Sequence, residues 1–199
     1  MKHTVVLFAM LIFFIGCGKE KGLGQLFDSN NAGHVKMEAV FRKKVSKKTG
    51  DFTEDDLRKI IALSLTDSQI DDLSPLAGLG QLQVMVLDNN QVTDLTPLSG
   101  LTNLVSLNLA NNQITDLTPL KRLTNLKNLD ISDNKVTTLM PLAQLVNLER
   151  LILRNNQVTD KQLEHLGSIK QLSYLVLDEN QLTDISSLAG LKNLKELKL

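Results

Sequence analysis

The stretch LTNLVSLNLANNQITDLTPL, residues 101–120, decides the fold. Its apolar residues fall at Leu101, Leu104, Leu107, Leu109, Ile114, Leu117 and Leu120, and the same slots return 22 residues away on either side. Starting from Leu57 they are filled by Leu57, Ile60, Leu63, Leu65, Ile70, Leu73 and Leu76. Full repeats begin at Leu57, Leu79, Leu101, Leu123, Leu145 and Ile169, with a partial seventh at Leu191; the unit from Leu145 has 24 residues and the other five have 22. Self-similarity at a fixed period marks a solenoid, in which each unit buries its apolar face against its neighbours. One unit alone has nothing to bury against, whereas each of these side chains contributes roughly 1.5–3 kcal/mol once covered.

Within each unit the pattern assigns the backbone. Ser106-Leu107-Asn108-Leu109 alternates polar and apolar, as a strand buried on one face does. Stacked in register, such strands form a parallel sheet with a spacing of about 4.8 Å. All four prolines, Pro75, Pro97, Pro119 and Pro141, share one repeat position, and Ser74, Thr96 or Thr118 precedes three of them. That pairing predicts a hydroxyl N-cap and a proline at the first helical position of a short turn. The 24-residue unit replaces this with TDKQLEHLGSI, which predicts a longer helix there.

The spacing L-x-x-L-x-L-x-x-N-x-I resembles the leucine-rich repeat, and LTNLVSLNLANNQITDLTPL is similar to the 22-residue class of bacterial internalins, over residues 57–199. The resemblance implies an α/β solenoid, curved, with a parallel sheet on the concave face and short helical turns on the convex face. It also implies that a protein partner docks on the outward residues of the strands. Residues 34–56 contain HVKMEAVFRKKVSKK, whose Met37, Val40, Phe41 and Val45 share one helical face, and TGDFTEDDL, whose Thr53 and Asp56 suit the start of a second turn. This segment resembles the helical N-terminal cap of internalin-type proteins.

The first 16 residues are of a different character. Lys2 is followed by an apolar run from Thr4 to Gly16, about 20 Å as helix and short of a roughly 30 Å hydrocarbon core. A basic start and a short apolar middle predict a secretion signal over residues 1–16. The following Cys17 is the only cysteine in the chain. Phe14-Ile15-Gly16-Cys17 resembles a bacterial lipobox, with Phe14 where the pattern has leucine, which implies cleavage before Cys17 and its acylation. Residues 17–33 are then a glycine-rich tether, with Leu23, Leu26 and Phe27 able to dock locally. The basic run Arg42 to Lys48 is the solvated face of a helix that would lie near an anchoring membrane.

Composition narrows the chemistry. Lys+Arg and Asp+Glu are equal at 22 each, so there is no electrostatic pull toward nucleic acid. His34 and His165 lie far apart without a ligand spacing, and strings such as Asp88-Asn89-Asn90 and Asp178-Glu179-Asn180 lack the oxygen pattern of a calcium loop. The GLGQ segments at 22–25 and 78–81 have no phosphate-loop lysine. No catalytic residue, metal or cofactor is expected. Sugar binding is disfavoured by a single tyrosine and no tryptophan.

The outward strand positions form three columns that change freely while the leucine slots do not. They read Ala62, Val84, Ser106, Asn128, Arg150, Tyr174; then Ser64, Val86, Asn108, Asp130, Ile152, Val176, Lys198; then Thr66, Asp88, Ala110, Ser132, Arg154, Asp178. Candidate protein-binding residues are therefore Val84, Val86, Asn108, Asp130, Arg150, Ile152, Arg154, Tyr174, Val176 and Asp178. Arg150, Ile152, Arg154, Tyr174 and Val176 are expected to form one patch with an apolar centre and a charged rim, a hot-spot composition. Where each strand turns away, Asn90, Asn112, Asn134, Asn156 and Asn180 occupy one slot, which suits an inward amide ladder that satisfies backbone groups. The preceding slot (Asp67, Asn89, Asn111, Asp133, Asn155, Glu179) varies in charge and is expected at the edge of the binding face. The expected function is a non-catalytic, monomeric, protein-binding module, lipid-anchored on the extracytoplasmic side of a bacterial envelope. The competing expectation is a structural envelope lipoprotein that self-associates through its open C-terminal strand edge.

Overall fold

The computed structural model describes residues 26–199; Cys17 and the expected signal segment lie outside the described residues. Helix α1 (Ala32–Val45) and the short α2 (Glu54–Arg58) lead into seven three-residue strands, β1 (Ala62–Ser64), β2 (Val84–Val86), β3 (Ser106–Asn108), β4 (Asn128–Asp130), β5 (Arg150–Ile152), β6 (Tyr174–Val176) and β7 (Glu196–Lys198). The strands form one open parallel sheet in sequence order. Each pairs with the next in a register that aligns equivalent repeat positions, so Val84, Ser106, Asn128, Arg150 and Tyr174 make one row across the sheet. This is a leucine-rich-repeat solenoid: the strands line one face, and short helical turns line the other.

One continuous core runs through the coils, and the seven leucine slots of the unit at 101–120 are all buried. Five turns are 3-10 helices at Ser74–Leu76, Thr96–Leu98, Thr118–Arg122, Met140–Gln144 and Ser186–Gly190. In the 24-residue unit, α3 (Asp160–Leu163) runs directly into a 3-10 segment, Glu164–Ser168, giving the longer helical stretch its sequence favours. The caps differ from expectation. Ser74, Thr96 and Thr118 are already inside the turn and make no side-chain cap. Their backbone N–H groups are instead taken by the aspartate two residues earlier, Asp72, Asp94 and Asp116, at 2.7–2.8 Å, with Asp184 doing the same for Ser186. A carboxylate two positions back closes an Asx turn in front of the proline, a geometry the shorter hydroxyl cannot reach from within the helix. The Thr118 hydroxyl and then its N–H hold the Asp116 carboxyl below its ordinary range.

Two asparagine ladders bind coil to coil. Asn134 is buried: its Oδ1 accepts from Ile114 N (2.9 Å), and its Nδ2 donates to the carbonyls of Leu109, Ile131 and Ser132 (2.9, 3.2 and 3.0 Å). Asn90, Asn112, Asn156 and Asn180 repeat the arrangement one coil along. A second ladder lies just before the strands, where Asn103, Asn125, Asn147 and Asn193 donate to Gly80, Thr102, Thr124 and Lys170 carbonyls of the preceding coil at 2.7–2.9 Å.

At the N-terminal end, α1 lies against the first coil. Asn31 caps it by accepting from His34 N and also donates to Asp71, whose carboxyl that amide holds below its ordinary range. A Cβ on Gly33 would come within 2.9 Å of the Ile70 Cα, so the helix approaches the coil as closely as only glycine allows. Met37 and Phe41 are fully buried in the common core. Phe27, Phe41 and Phe52 meet edge to face at centroid distances of 5.1–6.0 Å. The tether expected to reach residue 33 therefore ends earlier. Phe27 is already buried and the helix starts at Ala32, because the docking aromatic draws the chain onto the core. Thr53 and Asp56 form a capping box on α2, and the buried Asp56 also receives Lys47 Nζ at 2.8 Å. Lys47, then the burial working against it and the Thr53 N–H, leave Asp56 with a pKa of about 2. Within the basic run, Arg42 is tied to Glu38 and lies 4.9 Å over the Phe52 ring, while Lys43, Lys44 and Lys48 are exposed.

Candidate functional site

The outward strand positions form a shallow face whose two halves differ in chemistry. In the C-terminal half, strand register places Arg150, Tyr174 and Glu196 side by side, with Ile152, Val176 and Lys198 as the next row. The Arg150 guanidinium lies 3.7 Å from the centre of the Tyr174 ring, and Lys198 Nζ lies 5.4 Å from it. Such stacking contributes about 0.5–1 kcal/mol at an exposed site and, more usefully here, fixes the plane of the guanidinium. Neighbouring carboxylates are already engaged: Glu149 by Lys127 at 2.9 Å and Glu196 by Lys198 at 3.2 Å. Tyr174, and then Glu196, raise the Lys198 pKa. Among the described residues Arg150 has no carboxylate partner.

Of the five residues grouped by sequence, Arg150 and Tyr174 are register neighbours, as are Ile152 and Val176, while Arg154 lies past the end of β5. Arg154 turns to Glu179 at the far end of the strand, its Nε 3.1 Å from the carboxylate, and this partner raises its pKa further. Val176 is on the strand face but only 6% exposed, while standing apart from the leucine core; its register neighbours Ile152 and Lys198 flank it. Arg150 is exposed there and Ile152 and Tyr174 are half-buried, with the exposed Glu196 and Lys198 on the next strand.

The central strip is polar. Asn108 accepts from Ala110 N, and Asp130 accepts from both the N–H and the hydroxyl of Ser132, so each side chain also shapes its strand end. Asp88 accepts from Thr66, and Asp178 is half-buried near Arg154. The N-terminal half carries an apolar corner among exposed Ser64, Thr66 and Gln83. Val84 is 40% exposed and Val86 half-buried, and they are joined by Ile61 at 57% exposure, which sequence analysis did not single out. Gln83 N donates to the Ile61 carbonyl and Val105 N to that of Gln83, so Ile61, Gln83 and Val105 form a further row just ahead of the strands. The signal was present in the residue one before each strand, a position the alternation assigned to no face.

The slot before the ladder carries a backbone constraint that its letters do not show. Asp67, Asn89, Asn111, Asp133, Asn155 and Glu179 all have left-handed backbones, with φ between 48 and 57°. Asparagine and aspartate tolerate this conformation best among residues with a side chain, so the turn limits which residues the slot accepts. Asn111 also donates to Asn89 and Asn155 to Asp133, at 2.7 and 2.9 Å. His34 is held by Asp28 N at Nδ1 and faces Asp72 from Nε2 at 3.3 Å, as part of the α1 contact. No group of three His, Cys, Asp or Glu side chains among the described residues is arranged to hold a metal ion.

Family models agree with this architecture. Leucine-rich repeats in two copies match residues 80–122 and 124–167, and a leucine-rich repeat model matches 146–199. The chain belongs to the leucine-rich-repeat proteins, which typically act as non-catalytic binding modules. Among solved structures it is similar to an internalin (InlF) of Listeria monocytogenes, with 32% identity and a TM-score of 0.68 over 73% of this chain and 43% of that one. Internalin C2 of the same species matches at 29% identity and a TM-score of 0.54, over 82% of this chain and 92% of that one. A leucine-rich-repeat protein of Leptospira interrogans matches at 30% identity and a TM-score of 0.68, over 72% and 38%. The chain thus spans less than half the length of the first and third of these. No curated protein sequence matches it.

Proposed function

We propose that this protein is a binding module that captures a protein partner on the strand face and is displayed from a bacterial membrane through acylated Cys17. The observation that carries the binding reading is Arg150: a guanidinium stacked flat on Tyr174, held out to solvent, with the nearby carboxylates engaged by other cations. A preorganised charge and an adjacent ring match the composition of interface hot spots. The anchoring reading rests on the sequence around Cys17, and no helix among the described residues is long and apolar enough to cross a membrane.

The two parts are tested separately. A photo-crosslinking residue at Asn128, in the middle of the strand face, is expected to give a discrete adduct in the native envelope, whereas one at Ser187 on the opposite face is not. Equal labelling from both positions refutes the binding face. Cys17→Ala is expected to release the protein from membranes and abolish acyl labelling; unchanged fractionation refutes the anchor. Light scattering separates the monomer proposed here from self-association through β7.

A further inference from the structure

The strand face has two features that a single ligand can use at once. Arg150 supplies a planar fork of donors fixed by Tyr174 and without a counter-charge among the described residues. Ile61 and Val84, joined by the Val84 N to Ile61 carbonyl bond at 3.3 Å, supply an exposed apolar corner. Val84 and Arg150 lie in the same row, three strand steps apart. At about 4.8 Å per step that separation is about 14 Å, which four residues of an extended segment span at roughly 3.3 Å each.

Resting on the protein-binding reading above, we propose that the partner presents a protein segment with a carboxylate side chain to Arg150 and an apolar side chain to the Ile61–Val84 corner. A guanidinium with its plane already fixed pairs with a carboxylate through two parallel bonds at little further entropic cost. The strip between the two ends selects against other anions. Ser106 and Asn128 fill the row between them and Asp130 stands in the next row, so a polyanionic surface laid across the face meets the Asp130 carboxylate as well as Arg150. A single carboxylate at Arg150 avoids it.

The test is selection of binders from a random peptide display library on the full chain, followed by affinity measurements on the selected peptides. Acidic and apolar residues about four positions apart are expected to be enriched. Arg150→Gln is expected to weaken binding at least tenfold, and Val84→Glu to weaken it comparably. A peptide whose acidic residue is replaced by lysine is expected to regain binding to Arg150→Glu. Arg150 and Val84 are exposed, so circular dichroism of the variants should match that of the parent. Peptides that compete with a bulky label at Asn128 yet carry no acidic preference overturn this partner chemistry and leave the strand face as the binding site. Peptides insensitive to that label overturn both. If Arg150→Glu instead abolishes binding to phosphatidylglycerol vesicles, or dissolves a dimer, with peptide binding unchanged, the cation serves a lipid or a second copy and the proposal fails.

Discussion

Asn134→Ala removes four hydrogen bonds, but the backbone groups involved are not equally dependent on them. The Leu109 carbonyl keeps Asn112 Nδ2 at 3.0 Å, Ile131 keeps Asn156 Nδ2 at 2.9 Å, and Ser132 keeps Asn111 N at 2.9 Å. Ile114 N–H has only Asn134 Oδ1, and Ile114 is fully buried. One orphaned buried donor costs about 1–3 kcal/mol, and the lost second bonds with the small void bring the total to about 2–4 kcal/mol. Asn134→Asp sharpens the reasoning. It keeps an acceptor for Ile114 but sets an oxygen against three carbonyl oxygens at 2.9–3.2 Å, so at neutral pH it should destabilise more than alanine. Burial among carbonyls raises that carboxyl's pKa in the folded state, so its deficit should shrink as the pH is lowered toward 4. Urea unfolding followed by circular dichroism at pH 7 and at pH 4 measures all three proteins. An alanine cost below about 1 kcal/mol, or an aspartate milder than alanine at pH 7, refutes the ladder as an energetic element.

Three further outcomes are expected. Asp56, usually near 3.8 and here about 2, contributes about 2 kcal/mol that is fully present above pH 4 and lost as the pH falls through 3.8 toward 2; Asp56→Asn should flatten that acid limb in melting curves. Glu179→Asn replaces a strained left-handed residue and gives up only an exposed ion pair, so the melting temperature should rise by the equivalent of up to about 1 kcal/mol. Gly33→Ala, which forces a Cβ against the backbone of Ile70, should cost about 1–3 kcal/mol and speed hydrogen exchange in α1 before the coils.

The coils were legible because their signal is local and repeated: a leucine in a fixed slot means the same thing in every copy. What escaped were features whose cause is geometric. The Asn111 slot varies between amide and acid, which suggests a surface; its constraint is a left-handed φ, satisfied by several polar residues. Asp72, Asp94 and Asp116 cap turns that seemed to belong to the hydroxyls two residues on, since only coordinates show which residue is already helical. At the candidate site, register follows from the period, so the adjacency of Arg150 and Tyr174 can be read from spacing. The turning of Arg154 to Glu179 and the covering of Val176 depend on side-chain packing that no column of letters contains. Phe27 lies outside the repeats; its letters suggest local docking, but the pairing with Phe41 and Phe52 that buries it is visible only in the folded chain.

The ladders also bear on how such a chain is revised over generations. Each amide joins its own coil to the one before it, and the 22-residue coils from Leu101 and Leu123 offer their neighbours the same set of groups. Tandem duplication of a 22-codon segment would therefore yield a chain whose seams are already matched, with one more set of freely mutable outward positions. The face would lengthen by about 4.8 Å per event. Recognition can then diverge in one copy while the duplicated original keeps its old contacts, and the units between the terminal helix and the last strand become the natural currency of adaptation.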